Sequence, residues 1–205
     1  MSAVVINGLE RRFGSTRVLS RVDLVVDPGE HIAITGANGS GKTTLLRVIT
    51  GLLRPTSGRV EVLGGSTGDP DVRARIGLIG HAPGLYARMS AAENIRFWSR
   101  LYGAPHALDR GGELLAELGL DPGDRRPVAE YSQGMRQRAA VARALCTSPE
   151  LVIADEPLAG LDADGVRAVT DVLARCPTVV VATHDLDGVA SGRRFELVDG
   201  DLAAR

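Results

Sequence analysis

The chain has 205 residues, of which 44 % are apolar and 3 % aromatic, and its formal net charge is −1. This length is enough for one domain with a buried core, so we expect a single domain. The near-neutral charge lacks the basic surplus that binding to a phosphate backbone requires, which argues against nucleic acid as the main partner.

The compartment follows from the cysteines and from the apolar stretches. Cys146 and Cys176 have no metal-ligand spacing and fit small hydrophobic side chains in a reducing compartment. The longest apolar runs have strand length, far below the roughly 20 residues that a membrane helix needs. The first residues contain neither a basic leader nor a cleavage site after a long apolar region. We therefore expect a cytoplasmic protein that does not itself cross a membrane.

The predicted elements alternate between strands and helices. The first apolar runs, 4–9 and 22–26, with the turn-rich segment 27–29, predict a small antiparallel sheet. Later strand candidates lie at 32–35, 60–63, 76–79, 151–154 and 178–182. This alternation predicts an α/β chain with a parallel core. After His184 we expect a short helix and a last strand at 195–198.

Helical signals replace strand signals in the middle of the chain. Ser90 and Glu93 form a capping box that begins the first of three helices. A second helix is predicted over roughly 113–118, and a third begins at Ser132. The resulting prediction is one domain over 1–205, with a core and its antiparallel β part at about 1–81 and 148–205, and a helical subdomain at about 82–147.

The segment GANGSGKT at 36–43 matches the P-loop pattern, with a strand before it and a helical pattern after it. Glycines let the backbone bend around phosphate oxygens, and the amides at the helix start donate to them. Lys42 is the only lysine beside 23 arginines, which fits a position where a compact ammonium is needed. The hydroxyl of Thr43 is expected to bind magnesium. The predicted phosphate-binding residues are Gly36, Ala37, Asn38, Gly39, Ser40, Gly41, Lys42, Thr43 and Thr44.

Two carboxylates follow the apolar strand candidate 151–154, at Asp155 and Glu156. Neighbours on a strand point in opposite directions, so we expect one to face a metal and the other the attacking water. The carboxyl edge of a parallel sheet is where ligands bind. Alone, such a pair is more often a solvated loop, but beside a P-loop it indicates a nucleotide site.

In this order the motifs resemble the nucleotide-binding domain of ABC ATPases, from Phe13 to His184. The resemblance implies a P-loop NTPase fold, ATP and Mg²⁺ as ligands, a dimer of nucleotide-binding domains, and transmembrane permease subunits as partners. The segment YSQGMRQR at 131–138 resembles the family signature. By resemblance, Ser132 and Gly134 contact the γ-phosphate held by the opposite subunit. The departures of the segment 131–138 from the commonest family signature resemble those of ABC-2-type exporters.

The remaining roles also come from the resemblance. Asp162 matches the D-loop, which crosses the dimer, and His184 matches the switch histidine that contacts the γ-phosphate. Phe13 lies where the family stacks an aromatic ring on adenine. The resemblance thus implies Glu156, His184, Lys42 and His81 as catalytic residues.

His81 stands where most relatives have the Q-loop glutamine. A neutral imidazole can still bond to metal-bound water, so His81 joins Thr43 and Asp155 in the predicted metal group. In the family this loop senses the γ-phosphate and moves the helical subdomain. The short chain and its Gly80-His81-Ala82-Pro83-Gly84 segment resemble the ATPase of the cytochrome c maturation haem exporter. The alternative is that His81 is an isolated substitution in another ABC-2 drug or lipid exporter.

Two rival functions are weighed against transport. ABC ATPases that act as mechanical clamps in translation or DNA repair resemble fused pairs or carry coiled-coil or zinc-bearing insertions. This chain has one copy of each motif and no Cys-x-x-Cys. A P-loop kinase for a small molecule would need neither the Ser132 motif nor a dimer.

The coupling surface for the permease is expected around the aromatic residues Tyr86, Phe97, Trp98 and Tyr102, which could instead fill the core of the subdomain.

Overall fold

The computed structural model describes residues 1–184 and 192–205, so the short helix expected after His184 lies outside the described residues. Within them the chain forms ten strands, six α-helices and a 3₁₀ turn at Val128–Glu130. The strands are β1 (Val4–Phe13), β2 (Thr16–Val26), β3 (His31–Thr35), β4 (Ser57–Val62), β5 (Gly65–Ser66), β6 (Ile76–Ile79), β7 (Leu151–Asp155), β8 (Val179–Ala182), β9 (Arg194–Val198) and β10 (Asp201–Ala204). The helices are α1 (Lys42–Ile49), α2 (Pro70–Ala74), α3 (Ala91–Leu101), α4 (Ala107–Glu117), α5 (Gln133–Leu145) and α6 (Ala163–Ala174).

A four-stranded sheet in the order β2-β1-β4-β5 forms the antiparallel part. Val4 pairs with Val26 on one side and with Val62 on the other, so β1 is central. The strand candidate at 60–63 corresponds to β4, which pairs antiparallel with β1. Its apolar pattern alone does not indicate which strand it pairs with.

A six-stranded sheet in the order β10-β9-β3-β8-β7-β6 forms the core. Its strands are parallel except β10, which pairs antiparallel with β9. Every residue of β7 and β8 is buried, as expected for strands covered on both faces. The predicted α/β fold with a parallel core and an antiparallel β part is confirmed. Because β3, β6, β7 and β8 are parallel, their carboxyl ends lie along one edge of the sheet.

The helix starts predicted from capping residues are confirmed. Ser90 Oγ accepts from the Glu93 amide and Glu93 Oε2 from the Ser90 amide, so α3 begins with a capping box. Ser132 is the N-cap of α5. None of the helices in the described part of the chain is both long and apolar enough to cross a membrane.

The second helix predicted in the middle of the chain corresponds to α4, which is longer than predicted. It begins at Ala107, six residues before the expected start at Glu113. Gly111 and Gly112 have low helix propensity, so the local sequence does not favour a helix before Glu113. Gly111 is buried, and a Cβ there would lie only 2.4 Å from Ile95 Cγ2. The glycine therefore allows α4 to pack closely on α3, and this tertiary contact outweighs the local propensity.

Candidate active site

A cavity of about 540 Å³ opens at the carboxyl edge of the parallel sheet. The β3–α1 loop, the ends of β6 and β7, and the residues after β8 all contribute to its wall. Ten of the predicted site residues line it: Asn38, Gly39, Gly41, Lys42, Thr43, Thr44, His81, Asp155, Glu156 and His184. Residues from four separate parts of the sequence thus meet at one place.

The loop before α1 is bent by glycine. Gly36 has φ +147°, and a Cβ there would lie 2.3 Å from the Leu197 carbonyl oxygen, so no larger residue fits. Lys42 is only 7 % exposed, and its Nζ donates to the carbonyl oxygens of Gly36 at 2.7 Å and of Ala37 at 3.1 Å. No ion pair in residues 1–184 and 192–205 involves this ammonium. A buried cation held by neutral dipoles is suited to bind an anion.

The oxygen groups expected to hold magnesium lie side by side. Thr43 Oγ1 donates to Asp155 Oδ2 at 2.7 Å, and Asp155 is 5 % exposed at the end of β7. The described residues contain no cluster of three or more His, Cys, Asp or Glu side chains fit to hold a metal. One hydroxyl and one carboxylate still suit Mg²⁺, which takes one or two protein ligands together with phosphate oxygens and water. The donor set therefore fits Mg²⁺ bound with a nucleotide.

Glu156 is oriented by a turn rather than by strand alternation. The strand ends at Asp155, and Glu156 has φ +51°, which is unusual for a residue with a side chain. Its amide still donates to the Ala182 carbonyl at 2.8 Å. The expectation that strand pleating separates the two carboxylates is therefore wrong, because the left-handed backbone turns Glu156 out of the strand.

The side chains of Glu156, His184 and Asn38 form a contact group in the cavity wall. His184 Nε2 lies 2.7 Å from Asn38 Oδ1, to which it donates, and 3.3 Å from Glu156 Oε1. The backbone amide of His184 donates to Glu156 Oε2 at 3.4 Å. Because Nε2 is directed to Asn38, Glu156 Oε1 is buried without a hydrogen-bond partner among the described residues. That oxygen is available to accept a bond from water.

His81 lies two residues after the end of β6 and lines the same cavity as an exposed side chain. Arg47, Val18 and Ala159 also line it, and none of them is among the site residues predicted from the sequence. Arg47 could have been found, because it lies four residues after Thr43 and therefore on the same face of α1.

The remaining P-loop residues lie beside this cavity. Ala37 and Ser40 line an adjoining cavity of about 650 Å³, which also touches Asn38 and Gly39. Ser40 Oγ is buried without a hydrogen-bond partner among the described residues, and a Cβ on Gly36 would approach it to 2.7 Å. The hydroxyl is therefore free to bond a ligand held by the loop.

Three other predicted residues lie outside this cavity wall. Ser132 Oγ caps α5 by accepting from the Met135 amide at 3.1 Å, and Asp162 Oδ1 caps α6 by accepting from the Gly165 amide at 2.8 Å. Gly134 packs near the loop before α6, where a Cβ would lie 3.3 Å from the Gly160 carbonyl oxygen. The start of α5 and the loop before α6 thus form one surface, separate from the cavity that Lys42 lines, which we call the phosphate cavity.

Phe13, at the end of β1, lines neither of these two cavities, and it is 45 % exposed. The Arg11 guanidinium lies over its ring, 4.4 Å from the ring centre. One face of the ring is therefore occupied by a cation.

Comparisons with known proteins identify the family of this chain. The family model described as ABC transporter matches residues 19–159. A daunorubicin resistance ATP-binding protein of Streptomyces coeruleorubidus is 40 % identical over 83 % of this chain. The match covers only 55 % of the length of that protein. A cytochrome c biogenesis ATP-binding export protein of Cupriavidus necator is 39 % identical over 82 % of this chain and 77 % of its own length. A lipoprotein-releasing system ATP-binding protein of Caulobacter vibrioides is 38 % identical, with 96 % and 93 % covered.

Solved structures give the same result. A structure of an ATP-binding subunit of an ABC transporter has a TM-score of 0.91 and 27 % identity, covering 100 % of this chain and 90 % of its own. A dimeric post-hydrolysis state of an ATP-binding cassette bound to ADP and Pi has a TM-score of 0.84 and 27 % identity, covering 98 % and 97 %. With the family model and the relatives in agreement, the chain belongs to the ABC transporter family as an ATP-binding domain with the ATPase fold.

Proposed function

We propose that two copies of this chain close head to tail over two Mg-ATP molecules and hydrolyse them to drive export through separate membrane subunits. One observation carries this proposal. Lys42 and Glu156 line one cavity, whereas Ser132 and Gly134 lie on another surface of the same chain. A second copy could bring its Ser132 surface over the first copy's cavity, and the α5 N-terminus would then face the phosphates. The dimeric cassette among the structural relatives supports this arrangement.

Each residue of the cavity has a proposed role. Glu156 orients or deprotonates water through its unpartnered Oε1, while His184 is positioned by Asn38 to reach the γ-phosphate. Lys42 stabilises the charge of the transferring phosphoryl group. Thr43 and Asp155 would hold Mg²⁺, which would neutralise phosphate charge, and His81 would supply a further hydrogen-bonding group beside them.

The adenine is proposed to stack on the face of Phe13 that Arg11 leaves free. Phe13 pairs with Thr16 at the end of β1, and Val18, two residues further along β2, lines the cavity that contains Lys42. This role predicts weaker ATP binding in Phe13→Ala with little change in the maximal rate, because the stacking contact forms before and during hydrolysis alike.

The membrane partner is proposed to dock on the aromatic cluster of Tyr86, Phe97, Trp98 and Tyr102. These rings pack on one another, with Tyr86 and Phe97 4.6 Å apart and Trp98 and Tyr102 5.8 Å apart, but Tyr86 and Tyr102 remain 46 % and 44 % exposed. An adjoining groove of about 660 Å³ is lined by Met89, Phe97 and Leu101 and by the exposed arginines Arg88, Arg96 and Arg100. Apolar and cationic groups together suit a helix of a permease on the cytoplasmic face of the membrane.

Haem is the proposed cargo. This proposal is based on the resemblance of the segment 80–84 and on the relative whose name refers to cytochrome c biogenesis. A drug or a lipid is the alternative, supported by the daunorubicin resistance and lipoprotein-releasing relatives. Purification of the ATPase from its native membrane, followed by identification of the accompanying integral protein and its bound small molecule, separates these cargoes. A partner from a drug or lipid exporter would contradict the haem assignment.

The sandwich mechanism is tested with Glu156→Gln. This variant should bind ATP, lose turnover by about 10²- to 10⁴-fold and form dimers with saturating Mg-ATP, as measured by analytical ultracentrifugation. Glu150→Gln is the matched control, since Glu150 lies just before the other end of β7 and pairs with Arg75. It should keep turnover and remain monomeric between catalytic cycles. A Glu156→Gln chain that stays monomeric at saturating Mg-ATP would contradict the mechanism and favour a P-loop kinase.

A further inference from the structure

Arg143, on α5, lies between the aromatic ring of Trp98 and the segment 81–86, which we call the His81 segment. Its Nη2 donates to the Pro83 carbonyl oxygen at 3.1 Å, and its Cζ lies 5.4 Å from the centre of the Trp98 ring. Its Nε is buried without a hydrogen-bond partner in the described part of the chain, where no ion pair involves this residue either. The guanidinium is thus a cation without a carboxylate, held by one carbonyl and one aromatic face.

Such a cation costs free energy. Burial lowers the pKa of the Arg143 guanidinium, because removal from water disfavours its charged form. An apolar side chain of similar length would fill this space without that cost. It could not, however, donate to Pro83 or bind the Trp98 face as a cation. What the charge adds over an apolar side chain is therefore a fixed distance between Pro83 and Trp98.

The segment from His81 to Tyr86 is attached to the helices at two points. Arg143 fixes its middle at Pro83. The buried Asn94 on α3 fixes its far end, because Asn94 Oδ1 accepts from the Tyr86 amide at 2.7 Å and Nδ2 donates to the Tyr86 carbonyl at 3.2 Å. At its near end, His81 lines the phosphate cavity. A shift of His81 must therefore move or break the contact between Pro83 and Arg143.

We propose that Arg143 is a positioning residue for ATP hydrolysis, which holds the His81 segment against Trp98 and so couples the phosphate cavity to the aromatic cluster. The inference rests on the proposed role of His81. Arg143 itself touches neither the nucleotide nor the reacting atoms, and it acts through the segment that carries His81.

Trp98 is the only tryptophan in the chain, so its emission reports on this contact directly. In the full-length wild-type protein, titration with Mg-ATP should change Trp98 emission. In Arg143→Met the change should be lost while equilibrium dialysis with labelled ATP still gives full binding, and Arg143→Lys should restore part of it. We expect kcat to fall about tenfold with KM within about twofold, a typical coupling effect. Arg110→Met is the control, since Arg110 pairs with Glu113 on α4 and should leave emission and kcat unchanged.

A double-mutant cycle separates positioning from a merely structural effect. If Arg143 acts through His81, the Arg143→Met/His81→Ala chain should be no slower than the slower single variant, whereas independent effects would multiply. Gly84→Ala perturbs the contact from the other side, because its Cβ would lie 2.9 Å from Arg143 Nη2 and because the φ of +63° at this position disfavours any residue with a side chain, and it should also abolish the emission change.

Three results would overturn this inference. They are a wild-type Trp98 emission that ignores Mg-ATP, an Arg143→Met chain with wild-type response and kcat, and multiplicative losses in the cycle. If His81→Ala still slows hydrolysis in those cases, the proposed role of His81 stands and only the role of Arg143 fails. A His81→Ala chain with wild-type turnover would overturn both.

Discussion

Two adjacent glycines in α4 allow a matched test of packing in the helical part. A Cβ on Gly111 would lie 2.4 Å from Ile95 Cγ2 and 3.0 Å from Ile95 Cδ1, whereas a Cβ on Gly112 would have no neighbour within 4 Å among the described residues. Replacing either with alanine gains about 1 kcal/mol of helix propensity. Only Gly111→Ala must also displace Ile95 in a packed core, which costs about 1–3 kcal/mol.

The two variants should therefore differ in sign. Gly112→Ala should raise the free energy of unfolding by about 1 kcal/mol, while Gly111→Ala should leave it unchanged or lower it by up to about 2 kcal/mol. Urea denaturation measures both, and the midpoint temperatures should differ by about 2–4 °C for each kcal/mol. Equal stabilisation by both alanines would refute the close approach of α4 to α3.

A double variant localises the clash. Ile95→Ala alone should be strongly destabilising, by about 2–5 kcal/mol, because it leaves a cavity. Combined with Gly111→Ala, the loss should be smaller than the sum of the two single losses by at least about 1 kcal/mol, since the new methyl fills part of that cavity. Additive losses would place the clash of Gly111→Ala elsewhere.

Three further predictions concern single side chains. Lys42→Arg should lower steady-state ATP turnover at least about 100-fold, because the broad guanidinium cannot replace an ammonium bound between two carbonyls; wild-type turnover would contradict this. Glu156→Gln should raise the free energy of unfolding in urea by about 1 kcal/mol, because it removes a charged oxygen without a hydrogen bond; a less stable variant would contradict it. Burial raises the pKa of Cys146 and of Cys176 to about 11 from 9.0, so the thiolate fraction at pH 8 is about a hundredth of a free thiol's. Ellman's reagent should therefore titrate both quickly only after denaturation, and rapid reaction of the native chain would exclude this burial.

Features set by a few neighbouring residues could be predicted from the sequence. The capping box of Ser90 and Glu93 needs only residues three apart, and the glycine bend before Lys42 needs one loop and one helix start. The meeting of Thr43 with Asp155, which are far apart in sequence, could also be predicted, because parallel strands place their carboxyl ends at one edge.

Features that depend on contacts between distant elements could not be predicted. The early start of α4 requires Ile95 to lie against Gly111, and nothing in the local sequence indicates that. The alternation of a strand predicts an extended backbone at Glu156, whereas its φ is +51° and its amide donates to Ala182 in the neighbouring strand. The contact of Arg143 with Pro83 joins residues that no local pattern relates.

The position of Lys42 has a practical consequence for chemical labelling. The sequence contains a single ε-amino group, and it lies in the P-loop between the carbonyls of Gly36 and Ala37. A phosphate-bearing aldehyde that forms a reducible imine would have one lysine to modify, and one peptide digest would separate that adduct from the adduct on the α-amino group of the chain. Protection by ATP against that reagent would then count occupied nucleotide sites directly.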